Sequence, residues 1–234
     1  SNGASSENSS SKESESSFSS VSSENSAQSS SSSETSSGGD SPVDAAYSVS
    51  SFTDLPDNWE LFARSDVNST ATTYPDEAMQ ITHTNSSVTE AKYYGALYRI
   101  ATDREYEDFT FEITLKMTQP QSATRWLGIL YHTQMSGNYL TGYMANFRYN
   151  GNSASSAVSA NPTGFKDDTA TAAPVKLSDE NFHTIRIEMN GTEASHYIDS
   201  QLIKTWDVTS KDAHFGGTLL HGGFALIVNR STVS

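Results

Sequence analysis

The chain has no cysteine, and its 28 Asp and Glu residues outnumber Lys and Arg two to one. Without cysteine there is no disulfide framework, and oxidising and reducing compartments are equally compatible. The shortage of basic residues leaves a formal charge of −14. A nucleic acid would be repelled where its binding needs a basic footprint, and an anionic membrane surface is disfavoured for the same reason. No apolar run approaches the roughly 18 residues of a spanning helix, so no membrane insertion is expected. No helical period of useful length is present either.

What is abundant, at the start, is serine. More than half of residues 1–40 are Ser, accompanied by six acidic residues and one Lys. Such a segment buries too little apolar surface to offset its ordering entropy, so residues 1–44 read as a disordered, Ser-rich acidic linker. Residues 1–40 carry −5 of the formal charge and the remainder −9. The opening Ser1-Asn2-Gly3 has no initiator Met, which fits a remnant of expression or the residues after a removed signal or lipid-anchored cysteine. Bacterial surface proteins use tethers of this kind to hold a β module clear of the envelope. An extracellular setting, cell-surface or secreted, is therefore expected.

From Pro42 aromatics appear and serine gives way to alternation, which places a domain over 45–234. Short β-patterned runs recur between Gly, Asn, Asp and Pro clusters. They include "AMQITH" from Ala78, "GALYRI" from Gly95, "FTFEITLKM" from Phe109, "WLGILYH" from Trp126, "YLTGYMANFRY" from Tyr139, "HTIRIEM" from His183, "ASHYI" from Ala194, "QLIKTW" from Gln201 and "GGFALIV" from Gly222. Many short strands at this spacing predict an all-β sandwich or barrel.

Alternation assigns faces. A tight turn at Asn190-Gly191 puts Ile185, Ile187 and Met189 on one face with Ala194, His196 and Ile198. A second turn at Asp199-Ser200 extends that face to Ile203, leaving Tyr197, Leu202 and Trp206 outside with Arg186, Glu188 and Lys204. One bulge would reverse this, because a one-residue slip exchanges every side chain between faces. In "WLGILYH" the core set is Leu127, Ile129 and Tyr131, with Trp126, Gly128, Leu130 and His132 opposite. In "YLTGYMANFRY" it is Tyr143, Ala145 and Phe147, with Met144, Asn146 and Arg148 on the far side. The outer faces mix flat apolar surface with hydrogen-bonding groups, as a polyhydroxylated ring requires.

The ordered segments "LPDNWELF", "YEDFTFEITLKM", "WLGILYHTQMSGNYLTGYMANF", "FHTIRIEMNGTEASHYIDSQLI" and "GGFALIV" resemble the jelly-roll domains of the concanavalin A-like lectin and glucanase superfamily. The nearest likeness is to bacterial laminin-G-like and 3-keto-disaccharide-hydrolase-like modules, from about Ser51 onward. The resemblance implies a two-sheet antiparallel jelly-roll sandwich, with sugars bound on a concave sheet or its rim, sometimes beside calcium. Laminin-G-like members often carry Asp-Gly where this chain has Asp199-Ser200. Such domains add a last strand pairing back near the start; after "NRSTVS" that strand is either short or followed by further sequence, and further domains are expected in the native chain.

Glucanases of this superfamily carry alternating carboxylates on one strand, as in Glu-x-Asp-x-x-Glu, because retaining hydrolysis needs an acid and a nucleophile roughly 5–5.5 Å apart. No such run is present, and "FEITLKM" offers Glu112 alone. The cluster Asp103 to Asp108 has carboxylates enough for calcium but lacks the Asp/Asn and Gly alternation of a calcium loop, and reads as a charged turn. His214 and His221 have no third ligand for zinc and no Gly-x-Ser-x-Gly elbow to serve. The expectation is a non-catalytic, lectin-like module binding a glycan or polysaccharide through Trp126, His132, Asn146, Arg148, Arg186, Tyr197 and Trp206, with no cofactor required and calcium left open. A glycoside hydrolase pairing Glu112 with the Asp103 to Asp108 cluster, and a structural or adhesin spacer, stay open as alternatives.

Overall fold

The computed structural model describes residues 47–63, 65–84, 95–160, 163–167 and 171–234, with backbone alone over 154–160 and 163–167. The expected linker, residues 1–44, lies outside the described residues. In chain order the strands are β1 (Glu60–Leu61), β2 (Thr70–Thr73), β3 (Gln80–His83), β4 (Ala96–Ile100), β5 (Phe109–Leu115), β6 (Met117–Thr118), β7 (Trp126–Ser136), β8 (Tyr139–Arg148), β9 (Asn152–Ala160), β10 (Thr163–Asp167), β11 (Thr171–Ala172), β12 (His183–Asn190), β13 (Glu193–Ile198), β14 (Gln201–Asp207), β15 (Gly223–Val228) and β16 (Thr232–Val233). A single helical turn, α1 (Asp212–Phe215), lies between β14 and β15.

All pairings are antiparallel. One sheet has the order β1-β4-β15-β7-β8-β9-β10, with β11 also on β9. A second runs β14-β13-β12-β5 and a third β2-β3-β16-β6. Only Lys116 separates β5 from β6, so the second and third sheets continue into one another as a bent layer. The two-residue β16 pairs with β3 on one side and β6 on the other. This is the all-β antiparallel sandwich that the strand pattern predicts.

The core between the layers is aliphatic and aromatic. From the large sheet come Tyr98, Leu127, Ile129, Tyr131, Tyr143, Ala145, Phe147, Leu226 and Val228, and from the other layer Leu115, Ile185, Ile187, Met189, Ala194 and Ile198. Each set follows the period of two that puts alternate residues on one face. Ile187 stands opposite His196 and Met189 opposite Ala194, so the inward face of this hairpin is as predicted. Its two-residue loop is Gly191-Thr192 rather than Asn190-Gly191: Asn190 pairs with Glu193, and Gly191 supplies the positive φ of 58°. Moving the loop by one residue moves the register by two, which preserves the faces.

The next hairpin departs from the expected faces. Asp199 and Ser200 form the predicted turn with φ of 47° and 63°. Tyr197 then faces Leu202, whereas His196 faces Lys204, so Ile203 is an extra residue in β14. This bulge reverses the phase of everything beyond it. Trp206 therefore points inward and is 6% exposed, which corrects its placement on the outer face. Its indole N–H donates to Tyr131 Oη at 3.0 Å. Tyr131 Oη lies 3.1 Å from His196 Nε2; having accepted from Trp206, it donates its own proton there, so the imidazole is neutral. Burial pushes the His196 pKa down to about 3, with the Lys204 charge adding to the effect.

The Asp199-Ser200 turn is fastened by a second histidine. His183 Nδ1 donates to Asp199 Oδ2 at 2.7 Å and its Nε2 to Asp179 Oδ1 at 2.8 Å. Desolvation pushes the imidazole down, but hydrogen bonds and charge from the two carboxylates outweigh it and leave the pKa raised. The Asp179 carboxyl is held at about 2, first by the Asn181 N–H and then by His183.

These groups give opposite pH dependences. His183 stabilises the fold fully below the ordinary histidine value of about 6.5, and that contribution is lost as pH rises through its raised pKa. His196 acts the other way: the unfolded chain takes up its proton between about pH 6.5 and 3, so stability falls with pH across that window. In urea denaturation, His183→Gln is expected to flatten the alkaline loss above about pH 6.5 and, by releasing part of the hold on Asp179, to soften the loss on the acid side; curves parallel to the parent would contradict the clamp. Trp206→Ala is expected to cost about 3–5 kcal/mol, the range for an aromatic removed from a core, whereas a solvent-facing ring would cost under about 0.5 kcal/mol.

Candidate functional site

The seven residues expected to bind sugar fall into three places. Trp206 is in the core. His132 joins it there, because β7 also carries an extra residue: Tyr131 faces Tyr143 and Gln134 faces Thr141, so two residues oppose Gly142 alone. His132 occupies the bulge at φ 46° and is 0% exposed, which corrects its outer-face placement. Its ring lies edge-on to Phe109 at 5.6 Å. Nδ1 is 2.8 Å from the Leu219 carbonyl and Nε2 is 2.7 Å from that of Glu107. A neutral imidazole has one N–H to donate, so satisfying both carbonyls takes the cation. Burial opposes that charge and lowers the pKa, more than the two carbonyls raise it. His132 thus ties two loops together and presents nothing to a ligand.

Arg186 and Tyr197 are exposed to solvent in part, on the outer face of the β12–β13 hairpin. They stand directly opposite one another, with the guanidinium 4.2 Å from the phenol ring centroid. The Tyr197 face is thereby occupied by its own neighbour. Glu112 stands across from Arg186 on the other side. This pair belongs to the layer opposite the large sheet, so it does not share a surface with Trp126, Asn146 and Arg148.

Those three residues remain together. Trp126 is the cross-strand partner of Arg148, and Gly128 that of Asn146. All four lie on the large-sheet face turned away from the main core, since Leu127 and Phe147 between them point inward. That outer face has an apolar cluster of its own, formed by Phe62, Leu97, Leu130, Leu140, Met144, Ala225 and Ile227, against which Trp126 packs. The platform is therefore less open at its centre than the sequence pattern suggests. Gly128 permits the packing: a Cβ there would come within 2.4 Å of Met144 Sδ and 2.7 Å of Ile227 Cγ2.

Asn146 is buried between these groups at 5% exposure, and its Oδ1 has no hydrogen-bond partner among the described residues. An unmet acceptor of this kind costs about 1–3 kcal/mol and marks a place where a hydroxyl or water fits. Arg125, which the sequence reading passed over, has its Nε enclosed without a partner. Its position next to Trp126 was the available signal. Gly128 was the other, since a glycine inside a strand marks close approach.

The carboxylates considered for catalysis or calcium do not gather. Asp103 Oδ1 accepts from Asn58 Nδ2, Glu105 Oε2 is 2.9 Å from His221 Nδ1, and Asp108 Oδ1 accepts from the Gly191 N–H. Among the described residues no group of three or more His, Cys, Asp or Glu is arranged to hold a metal ion. The cluster does not fit calcium, because its carboxylates serve separate loops.

Comparison with known proteins agrees with this architecture. Residues 50–232 match the family described as the 3-keto-alpha-glucoside-1,2-lyase-like domain. The structure is similar to carbohydrate-binding module CBM66 from Bacillus subtilis at a TM-score of 0.54 and 12% identity, covering 75% of this chain and 90% of that one. It is similar to a glycoside hydrolase family 16 endo-glucanase from Bacteroides ovatus, at 0.51 and 12%, covering 77% and 86%. A third likeness is to a prokaryotic β-1,3-1,4-glucanase derived from a mouse hindgut metagenome, at 0.51 and 12%, covering 79% and 83%. No curated protein matches. At such identities the structures establish the shared fold, while the family match covers most of the chain. The chain belongs to the 3-keto-alpha-glucoside-1,2-lyase-like domain family and has the concanavalin A-like lectin and glucanase fold.

Proposed function

We propose that this domain is a non-catalytic carbohydrate-binding module that works outside a bacterial cell, held on its Ser-rich N-terminal linker. The observation that carries the reading is the buried Asn146 Oδ1, without a partner among the described residues, on the same sheet face as Trp126 and Arg148. An indole edge or face packs against the C–H surface of a sugar, an amide oxygen takes a hydroxyl proton, and a guanidinium supplies donors. The relatives in fold include a module named for carbohydrate binding and an enzyme named for glucan hydrolysis. Binding is favoured over hydrolysis here because Glu112 lies on the other layer, opposite Arg186 and away from Trp126, Asn146 and Arg148.

Each site would be weak. A shallow, partly filled face buries little ligand surface, so useful affinity would come from several copies on one polysaccharide or from a neighbouring domain.

The test is a glycan array followed by titration of the polysaccharides that bind, using the full chain. Trp126→Ala is expected to weaken binding at least about tenfold, as loss of one stacking contact predicts, measured below a thermal midpoint that falls because the indole packs on the outer apolar cluster. Tyr197→Ala, on the other layer, is expected to leave binding within about twofold. The reading fails if nothing on the array binds, or if binding survives Trp126→Ala. Turnover of a chromogenic glycoside that is lost in Glu112→Gln would replace it with the hydrolase reading.

A further inference from the structure

The charge around Trp126 runs against the character of the chain. Lys and Arg total 14 against 28 acids, so most arginines should find a carboxylate. Several do: Arg99 meets Glu60 at 2.6 Å, Arg104 approaches Asp103 at 4.0 Å, and Arg186 meets Glu188 at 3.2 Å. Three others, Arg125, Arg148 and Arg230, have no ion pair among the described residues.

The backbone brings the three Cα atoms near Trp126, and Arg148 shares its face. Arg125 immediately precedes Trp126. Arg148 is the cross-strand partner of Trp126, which puts its Cα about 5 Å away. The Asn229 N–H donates to the Trp126 carbonyl at 3.0 Å, and Arg230 is the next residue. One feature shows a site that wants a partner: the enclosed Asn146 Oδ1 has no donor among the described residues.

We propose that the sugar taken by this face is acidic, a hexuronic acid unit of a polysaccharide, with its carboxylate on Arg148 and a hydroxyl on Asn146. This rests on the glycan-binding reading and narrows it. The planar guanidinium fork matches a carboxylate with two parallel N–H···O bonds, a match that a neutral hydroxymethyl group cannot make. A carboxylate also supplies a counter-charge that Arg148 does not find among the described residues. The formal charge of −14 does not forbid it. Salt at physiological strength screens charges beyond about 8 Å, so the Arg148 guanidinium dominates the local potential.

The experiment compares polygalacturonate with its fully methyl-esterified form, which keeps the backbone and removes the charge, and adds a neutral β-glucan. Binding to the full chain is read by isothermal titration at low salt and at about 0.3 M NaCl. The acid is expected to bind at least about tenfold tighter than the ester, a ratio that shrinks with salt. Arg148→Gln should bring the ratio close to one, and Arg148→Lys should restore part of it, with unchanged thermal midpoints showing that the fold is intact. Equal binding of acid and ester, or a ratio unmoved by Arg148→Gln, overturns the acidic-sugar assignment. If the neutral glucan binds through Trp126 while the acid is not preferred, that assignment alone falls. If none of the three polymers binds and the glycan array is also blank, the glycan-binding reading falls with it.

Discussion

Trp206 donates to Tyr131, and Tyr131 to His196, across the middle of the sandwich. These three side chains belong to β14, β7 and β13, so the relay couples the two layers through polar atoms that water does not reach. Such a network has little tolerance: an indole N–H buried without its acceptor costs about as much as a typical core substitution. For Trp206 to reach Tyr131, β14 must take up an extra residue at Ile203. The cross-layer relay and the bulge therefore require each other, and together they decide which rings are available outside.

The two outer surfaces that result differ in how their polar groups are satisfied. On the small-sheet layer, Arg186 covers Tyr197, Thr114 pairs with Thr184 and Ser195 with Thr205. Those groups find their partners within the sheet. On the large-sheet face an apolar cluster lies beside Asn146, and among the described residues its amide oxygen has no partner. Unmet polar atoms in an apolar setting distinguish a face adapted to a ligand from one adapted to solvent. Aromatic content does not distinguish them, because both faces carry rings.

Much of this was legible in the chain. Alternation in Leu127, Ile129 and Tyr131, in Tyr143, Ala145 and Phe147, and in Ile185, Ile187 and Met189 identified the core-facing residues of three strands, since a period of two is a local property of extended backbone. The Asp199-Ser200 turn was legible too, from the tolerance of short polar residues for positive φ. Trp126, Asn146 and Arg148 were assigned to one outer face, and they share it. His132 and Trp206 were assigned outward and are buried. Each follows or occupies a bulge, and neither bulge carries a glycine that would announce it.

The amino-acid sequence by itself determined an acidic, cysteine-free β sandwich with its aliphatic residues facing inward, because composition and alternation act residue by residue. Only the tertiary structure decided that Trp206 belongs to the core, that Arg186 and Tyr197 lie on the layer away from Trp126, and that Arg148 stands beside that indole. Those outcomes depend on one-residue register shifts and on strands far apart in the chain becoming neighbours. Their energies come from packing and hydrogen bonds between layers, which no local pattern encodes.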